Sequence, residues 1–451
     1  MTIKDAVDQS NSGDIIIVTN SLSPYEEAVK IGPGKTALKL IGIGKPIIEG
    51  AGLGFENGIT ITESSRIVIR GFVIQNYKTD EITSGNGIFV NESSQNFITN
   101  NQLLNNESKG VFLNNNSFNN VIKHNMASGN VIDGISLNNN SNINIIIQNN
   151  TPNNEDGIDS DNSFSNFIVG NVTVENGFEG IDLDDSFDHL ILGNVSYNNV
   201  DDGMDIDDSS NNFLVANKVI NNGNDGFEMD DDTLNNWILG NNISNNGFNE
   251  EGHGIFFEDD NAFNKVIGNK ISENTNDAIL VDTESNNHFI VGNLIKNNIE
   301  DGILLDGEEN IPSFSNVIIN NTIVGNTGDG IEVNEFSFVN TIKGNKINNN
   351  GENGIKLDLK SNSNRVIKNK VVRNLGNGIE ATDSTLNTIK QNRVLENRMH
   401  GIFLDASSVG NEVLFNRVFF NISTDIVDED NNLFIGNKCG ISNGVNVDCG
   451  D

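Results

Sequence analysis

Residues 203–222 read GMDIDDSSNNFLVANKVINN. A glycine opens an alternation of apolar and acidic residues, a Ser/Asn turn follows, then the apolar run FLV, another turn, and a third short run, KVI. Each run holds three to five β-type residues bounded by Asn, Gly, Ser or Asp, which is strand-and-turn chemistry. No helical period lies between them, so a leucine-rich or ankyrin-type repeat is excluded.

The phrase recurs along the chain. The residue opening each short apolar run falls at Gly87, Gly110, Gly134, Gly157, Gly180, Gly203, Gly226, Gly254, Ala278, Gly302, Gly330, Gly354, Gly378 and Gly401, in steps of 23 or 24 residues with two of 28. An asparagine ladder runs in phase, from Asn101 and Asn125 through Asn194, Asn217 and Asn241 to Asn437. Self-similarity at such a period means a solenoid. Three short strands per turn, paired in parallel at a spacing of about 4.8 Å, predict an all-β, single-stranded right-handed parallel β-helix of about 14–16 rungs. Inward Ile, Leu and Val stack as the core. Asn at the turns tolerates left-handed backbone and can bond from rung to rung.

The repeat GIxLxxSxxNxIxxNxIxxN resembles the parallel β-helix repeat of the pectin-lyase-like superfamily, which includes polygalacturonases, pectate lyases, alginate epimerases and phage tailspikes. The opening TIKDAVDQSNSGDIIIV, with LKLIGIGKPIIEGAG after it, resembles the start of bacterial members. The resemblance covers nearly the whole chain. It implies the fold strongly and an activity weakly, because sites are grafted onto such folds independently.

The uninterrupted repeat overrides the two or three domains that 451 residues would suggest. Residues 1–60 read as an N-terminal cap with the first coils, 61–437 as β-helix repeats and 438–451 as a C-terminal cap or tail. Thr2 to Gln9 is a short candidate helix suited to plugging the open first coil. No apolar run suits a transmembrane helix, no membrane insertion is expected, and no signal peptide is visible. Cys439 and Cys449 are either two thiols or a ten-residue disulfide loop, the second implying an oxidising, extracellular setting.

The formal net charge is −36. Residues 155–310 carry 34 acids against 4 bases, a net of −30, and residues 341–420 carry 7 acids against 12 bases, a net of +5. Nucleic acid is not an expected partner, because the central segment would repel phosphates.

Strand alternation points the residues two and four beyond each glycine outward. Four consecutive rungs are acidic at both: Asp159 and Asp161, Asp182 and Asp184, Asp205 and Asp207, Glu228 and Asp230. The outer column continues through Glu258, Asp282 and Asp306. Like charges stacked this closely repel by about 1 kcal/mol per pair in water, and by about 3–4 at an effective dielectric of 20. Bound cations, raised pKa values or screening on a solvated face would each compensate. Oxygen-only donors suit Ca2+, so these eight residues are the candidate metal ligands.

The second strand of these rungs is apolar at three consecutive positions, and one core cannot bury both parities. Phe167, Leu190, Phe213, Trp237 and Phe289 are expected to face outward as a contiguous column. Such a patch exceeds the usual apolar surface of a monomer and suits a homo-oligomer interface; a sugar-stacking platform is the alternative. A basic column, Lys346, Lys370, Arg393 and Arg417, occupies one outward position on four later rungs.

Asp202, Asp225 and His253 resemble, in order and spacing, the acid, base and histidine of polygalacturonases, with EGHG at 251–254 in place of that family's Gly-His-Gly. Paired carboxylates across a scissile bond are the chemistry of inverting glycoside cleavage. Departures weaken the match: no Arg-x-Lys motif follows, and an acid precedes the ladder glycine at Asp133, Asp156, Glu179, Asp301 and Asp329 as part of the repeat. His189 and His288 read as solvated turn residues.

The sequence therefore points to an extracellular or surface β-helix scaffold that binds divalent cations and engages a glycan or itself. The alternatives are a hydrolase, lyase or epimerase acting on an acidic polysaccharide, and a purely structural spore, phage or envelope protein.

Overall fold

The computed structural model describes residues 2–80, 83–249, 252–444, 447, 449 and 450. They divide into two compact units, Met1–Lys218 and Val219–Asp451. Each is a run of right-handed parallel β-helix rungs, and each rung contributes one strand to each of three parallel sheets. Among the described residues each unit has nine strands on the apolar face, 18 in all. This exceeds the 14–16 rungs expected, because coils such as Ile15–Thr19 and Lys39–Ile43 precede the regular glycine ladder.

The first unit opens with helix Ile3–Gln9, capped by Thr2 in a reciprocal box with Asp5. Its buried Ile3 and Val7 face the first coil, and the N–H groups of Ile3 and Lys4 donate to Glu27 at 2.9 and 2.8 Å. The expected plug is there. Beyond it the rungs repeat in register: Ile158 lies beside Ile181, which lies beside Met204, all without solvent exposure. Middle residues of the second strands, Ile168, Ile191 and Leu214, are equally buried. This settles which parity of the FIV-type runs faces the core.

Asparagine holds the rungs together at three turns, where the sequence displayed one ladder. Asn125 Nδ2 donates to Asn149 Oδ1 at 3.1 Å and to the Ile98 carbonyl at 2.8 Å, and Asn171 repeats the pattern with Asn194. Parallel ladders run through Asn106 and Asn130 and through Asn120 and Asn144. Each amide satisfies a neighbour's backbone that strands of three or four residues leave unpaired.

The second unit follows the same plan, with Asn269–Asn293 and Asn345–Asn369 at 3.1 Å. It ends with Cys439 joined to Cys449 in a disulfide. Two histidines differ from the expectation. His189 and His288 are fully buried, standing where the ladder otherwise has asparagine. His189 Nδ1 accepts the Asn166 N–H at 2.9 Å, as an asparagine oxygen would. His288 stacks on Phe257 at 4.5 Å, and neither of its ring nitrogens has a hydrogen-bond partner. Burial pushes their pKa values down to about 4 and about 3, so both rings are neutral.

Candidate functional site

In the first unit the acidic strands stack as their spacing requires. Asp159, Asp182 and Asp205 are lateral neighbours, as are Asp161, Asp184 and Asp207. They are more enclosed than a solvated face, however. Asp159 is buried and Asp182 half-buried. Acids just before the glycines stand near the inner column, the buried Asp133 acting on Asp159 and the half-buried Asp156 on Asp182. Asp133 and Asp182 sit well above the ordinary carboxylate range, through burial first and the Asp159 charge second. Asp156 rises to about 9, from burial and then its contact with Glu179. Asp161 and Asp184 also rise, from burial and then from the neighbouring acids Asp159 and Asp161 respectively.

One cation reaches into this enclosure. Lys109 Nζ lies 2.6 Å from Asp133 Oδ2, 2.7 Å from Ser136 Oγ and 3.3 Å from Asp159 Oδ2. Translated by one rung, the same three positions are Asp156, Asp159 and Asp182, an all-carboxylate cage whose lysine position is taken by Asp133. Glu179, Asp201 and Asp202 also bring ligand atoms within 4.8 Å of one another.

In the second unit Glu228 is followed by Phe256 and then Leu280 in the same column, so the inner acidic column turns apolar there. Asp230 and Glu228 help to raise Glu258 to about 7, after burial. Acids return at Asp301, Asp329 and Glu332, whose oxygens lie within 4.8 Å of one another. Lys356, 2.8 Å from Glu332 and 3.0 Å from Asp358, supplies charge beside them. Burial first, and then neighbouring acids, lift Asp301 to about 10; burial and then Glu332 lift Asp329 to about 8.

Asp202 belongs to the first unit, and Asp225 and His253 to the second. Glu251 of the EGHG segment lies outside the described residues. One oxygen of Asp225 accepts the His253 backbone N–H, and the pattern is general at this turn. Asp156 accepts from Glu179 N–H at 3.0 Å, and Asp277 from Asp301 N–H at 2.7 Å. An acid or asparagine before the glycine therefore staples one rung to the next. His253 is buried against Phe256, with ring centroids 5.2 Å apart, and its Nδ1 stands 3.5 Å from Asp277 Oδ2. Burial depresses its pKa to about 4.

Phe167, Leu190 and Phe213 are lateral neighbours on the outside of the first unit, with Phe167 and Phe213 each 42% exposed. The column starts earlier than the sequence suggested, running through Phe97, Val121 and Ile145. In the second unit Lys265 separates Trp237 from Phe289 and lies over the indole at 4.2 Å.

This architecture is that of a right-handed parallel β-helix. Residues 147–295 and 277–446 match the right handed beta helix region family, well over half the chain, and the chain belongs to that family. Residues 7–178 are similar to the periplasmic copper-binding protein (NosD) family. No curated protein sequence matches the chain. Among solved structures, the periplasmic alginate epimerase AlgG is 13% identical, covering 99% of this chain and 83% of its own, with a TM-score of 0.36. An alginate lyase from Paenibacillus sp. is 13% identical over 53% of this chain and 91% of its own, at 0.39. The A-module of the Azotobacter vinelandii mannuronan C-5 epimerase AlgE6 is 12% identical over 97% and 93%, at 0.31. At these identities the likeness concerns the fold alone.

Copper does not fit the matched segment. Imidazole and sulfur donors select that metal, whereas residues 7–178 contain one histidine, His124, one methionine, Met126, and no cysteine. His124 Nε2 is engaged with Gln148 Oε1 at 2.7 Å. The clustered donors are carboxylates, which suit hard cations.

Proposed function

We propose that this protein is an extracellular or surface β-helix scaffold that holds divalent cations, Ca2+ first among them, on its acidic face, and that its apolar face engages a second copy or a glycan. Lys109 carries the reading. The ammonium stands in for a cation among Asp133, Ser136 and Asp159. One rung on, the equivalent positions gain two carboxylates, one of them in place of the lysine, so a calcium ion bridging Asp159 and Asp182 supplies the missing charge. Asp161, Asp184, Asp205 and Asp207 extend the oxygen surface in the first unit, and Glu228 and Asp230 stand beside Glu258 in the second. A polysaccharide bearing carboxylates can complete the coordination of ions held this way. The disulfide Cys439–Cys449 supports an oxidising location, and no helix among the described residues is long and apolar enough to cross a membrane.

Calcium titration by calorimetry, with melting curves in chelator and in excess calcium, tests the reading. Saturable binding and a melting temperature that rises with calcium are expected, and Asp159→Asn with Asp182→Asn should abolish the binding. Unchanged melting and no binding heat would retire it.

The second reading is an enzyme acting on an acidic polysaccharide. Its support is His253, a buried neutral imidazole aimed at Asp277 beside the half-buried Phe256. Cleavage or epimerisation of pectate, alginate or hyaluronan that disappears in His253→Ala and Asp225→Asn would establish it. Inertness towards all three would leave the scaffold reading alone.

A further inference from the structure

The basic column of the second unit is longer than its sequence reading. Lys346, Lys370, Arg393, Arg417 and Lys438 are lateral neighbours on five consecutive rungs, and all five are exposed. None of them makes an ion pair among the described residues. Arg373, which pairs with Glu396 at 2.7 Å, adds a sixth cation beside the column. Thr322, Lys346, Asn348, Lys370 and Arg373 line a shallow cavity of about 180 Å3, so the ladder is concave where its charge is densest. Five like charges at strand spacing repel one another, and in a chain of net charge −36 they mark a place for an extended anion.

An anionic surface with the same repeat exists on this chain. Asp161, Asp184 and Asp207 rise on consecutive rungs of the first unit, and the exposed Asp185 and Asp208 stand next to the latter two. Both ladders are parallel β stacks, so both repeat at the one spacing that backbone hydrogen bonding sets, about 4.8 Å. Charges of opposite sign at equal pitch can pair rung for rung without stretching either surface.

We propose that the basic ladder of one copy docks on the acidic ladder of a second copy. The two patches differ, so the contact is heterologous, and a bound pair still presents one unfilled ladder of each sign, one on each copy; the assembly grows by addition unless it closes into a ring. The proposal does not depend on the acidic face holding metal. Where divalent cations do occupy that face, they compete with the docking ladder and disperse the assembly.

Sedimentation of the full chain in chelator tests this directly. At about 0.05 M salt the mass should rise with protein concentration, and at about 1 M salt, where the Debye length falls to about 3 Å, it should return to the monomer. Lys370→Glu with Arg393→Glu should weaken association at least tenfold, as should Asp185→Lys with Asp208→Lys. The chain carrying all four reversals should associate again, which a merely misfolded variant would not do. A wild type that stays monomeric at low salt overturns the proposal. So does a four-fold variant that fails to recover, or a ladder that captures polygalacturonate while the protein never self-associates.

Discussion

Lys109 Nζ and Asp133 Oδ2 meet at 2.6 Å with both side chains about nine-tenths buried, at the first rung of the acidic face. The pair closes an otherwise uncompensated carboxylate stack. Removing one partner from a buried pair typically costs about 3–5 kcal/mol. Lys109→Met should therefore lower the melting temperature markedly in chelator. Calcium should restore part of the loss, because an ion can take the position the ammonium leaves. Adding Asp133→Asn to Lys109→Met should recover stability without calcium.

Between about pH 4 and 6.5 four raised carboxyls outweigh two buried histidines, so stability should be greatest near pH 4 and fall on both sides of it. Asp277, Asp329, Asp156 and Asp301 have native values raised, by burial first, to about 7, 8, 9 and 10. Their contribution is complete below the ordinary value of 3.8 and is lost as pH climbs through those values. His189 and His288 work in the opposite sense. Their contribution is complete above 6.5 and disappears as pH drops towards about 4 and about 3. Melting curves across this range in chelator should trace both limbs. Calcium should flatten the alkaline one and release protons on binding, measurable by calorimetry in two buffers.

His288→Asn should stabilise the protein. The substitution restores the ladder amide beside Asn264 and Asn316 and removes a ring with both nitrogens unsatisfied, a gain on the order of 1 kcal/mol. Melting at pH 5 should improve more than melting at pH 8. Asn345→Ala should do the reverse, since Asn345 donates to Asn369 Oδ1 and the Ile318 carbonyl and accepts from Asn321.

Phe167→Asp with Phe213→Asp places two charges on the apolar column of the first unit. If that face joins two copies, association should weaken in the double variant and, unlike ladder docking, should strengthen as salt rises. Light scattering over a salt series separates the two contacts.

The fold was legible because nearly every turn repeats its Gly and Asn, so the period survives single substitutions such as Ala278. One asparagine ladder of three stood out; around Asn120 and Asn144 the same role passes to His189 and His288, which broke the pattern for the eye but not for the backbone. The outward direction of Asp182 and Asp205 followed from strand parity. Their enclosure did not, because it depends on how close acids before the glycine, such as Asp156, stand to the strand. The same geometry explains Asp225: beside His253 it resembles an acid awaiting substrate, while its oxygen binds the next rung. The apolar column was read from Phe167 onward, whereas it already runs through Phe97, Val121 and Ile145, and Lys265 interrupts it without disturbing the inward pattern.

The asparagine ladders separate what a rung must keep from what it displays. Amides such as those of Asn171 and Asn194 face along the axis, indifferent to whether the adjoining strand shows an acid, a phenyl ring or a lysine outside. A gene that duplicates or deletes one whole rung thus moves a pattern of surface chemistry from coil to coil without rewriting the interior. In lineages of such chains, new surface chemistry can arise by rearranging intact coils, well before any single side chain has to change.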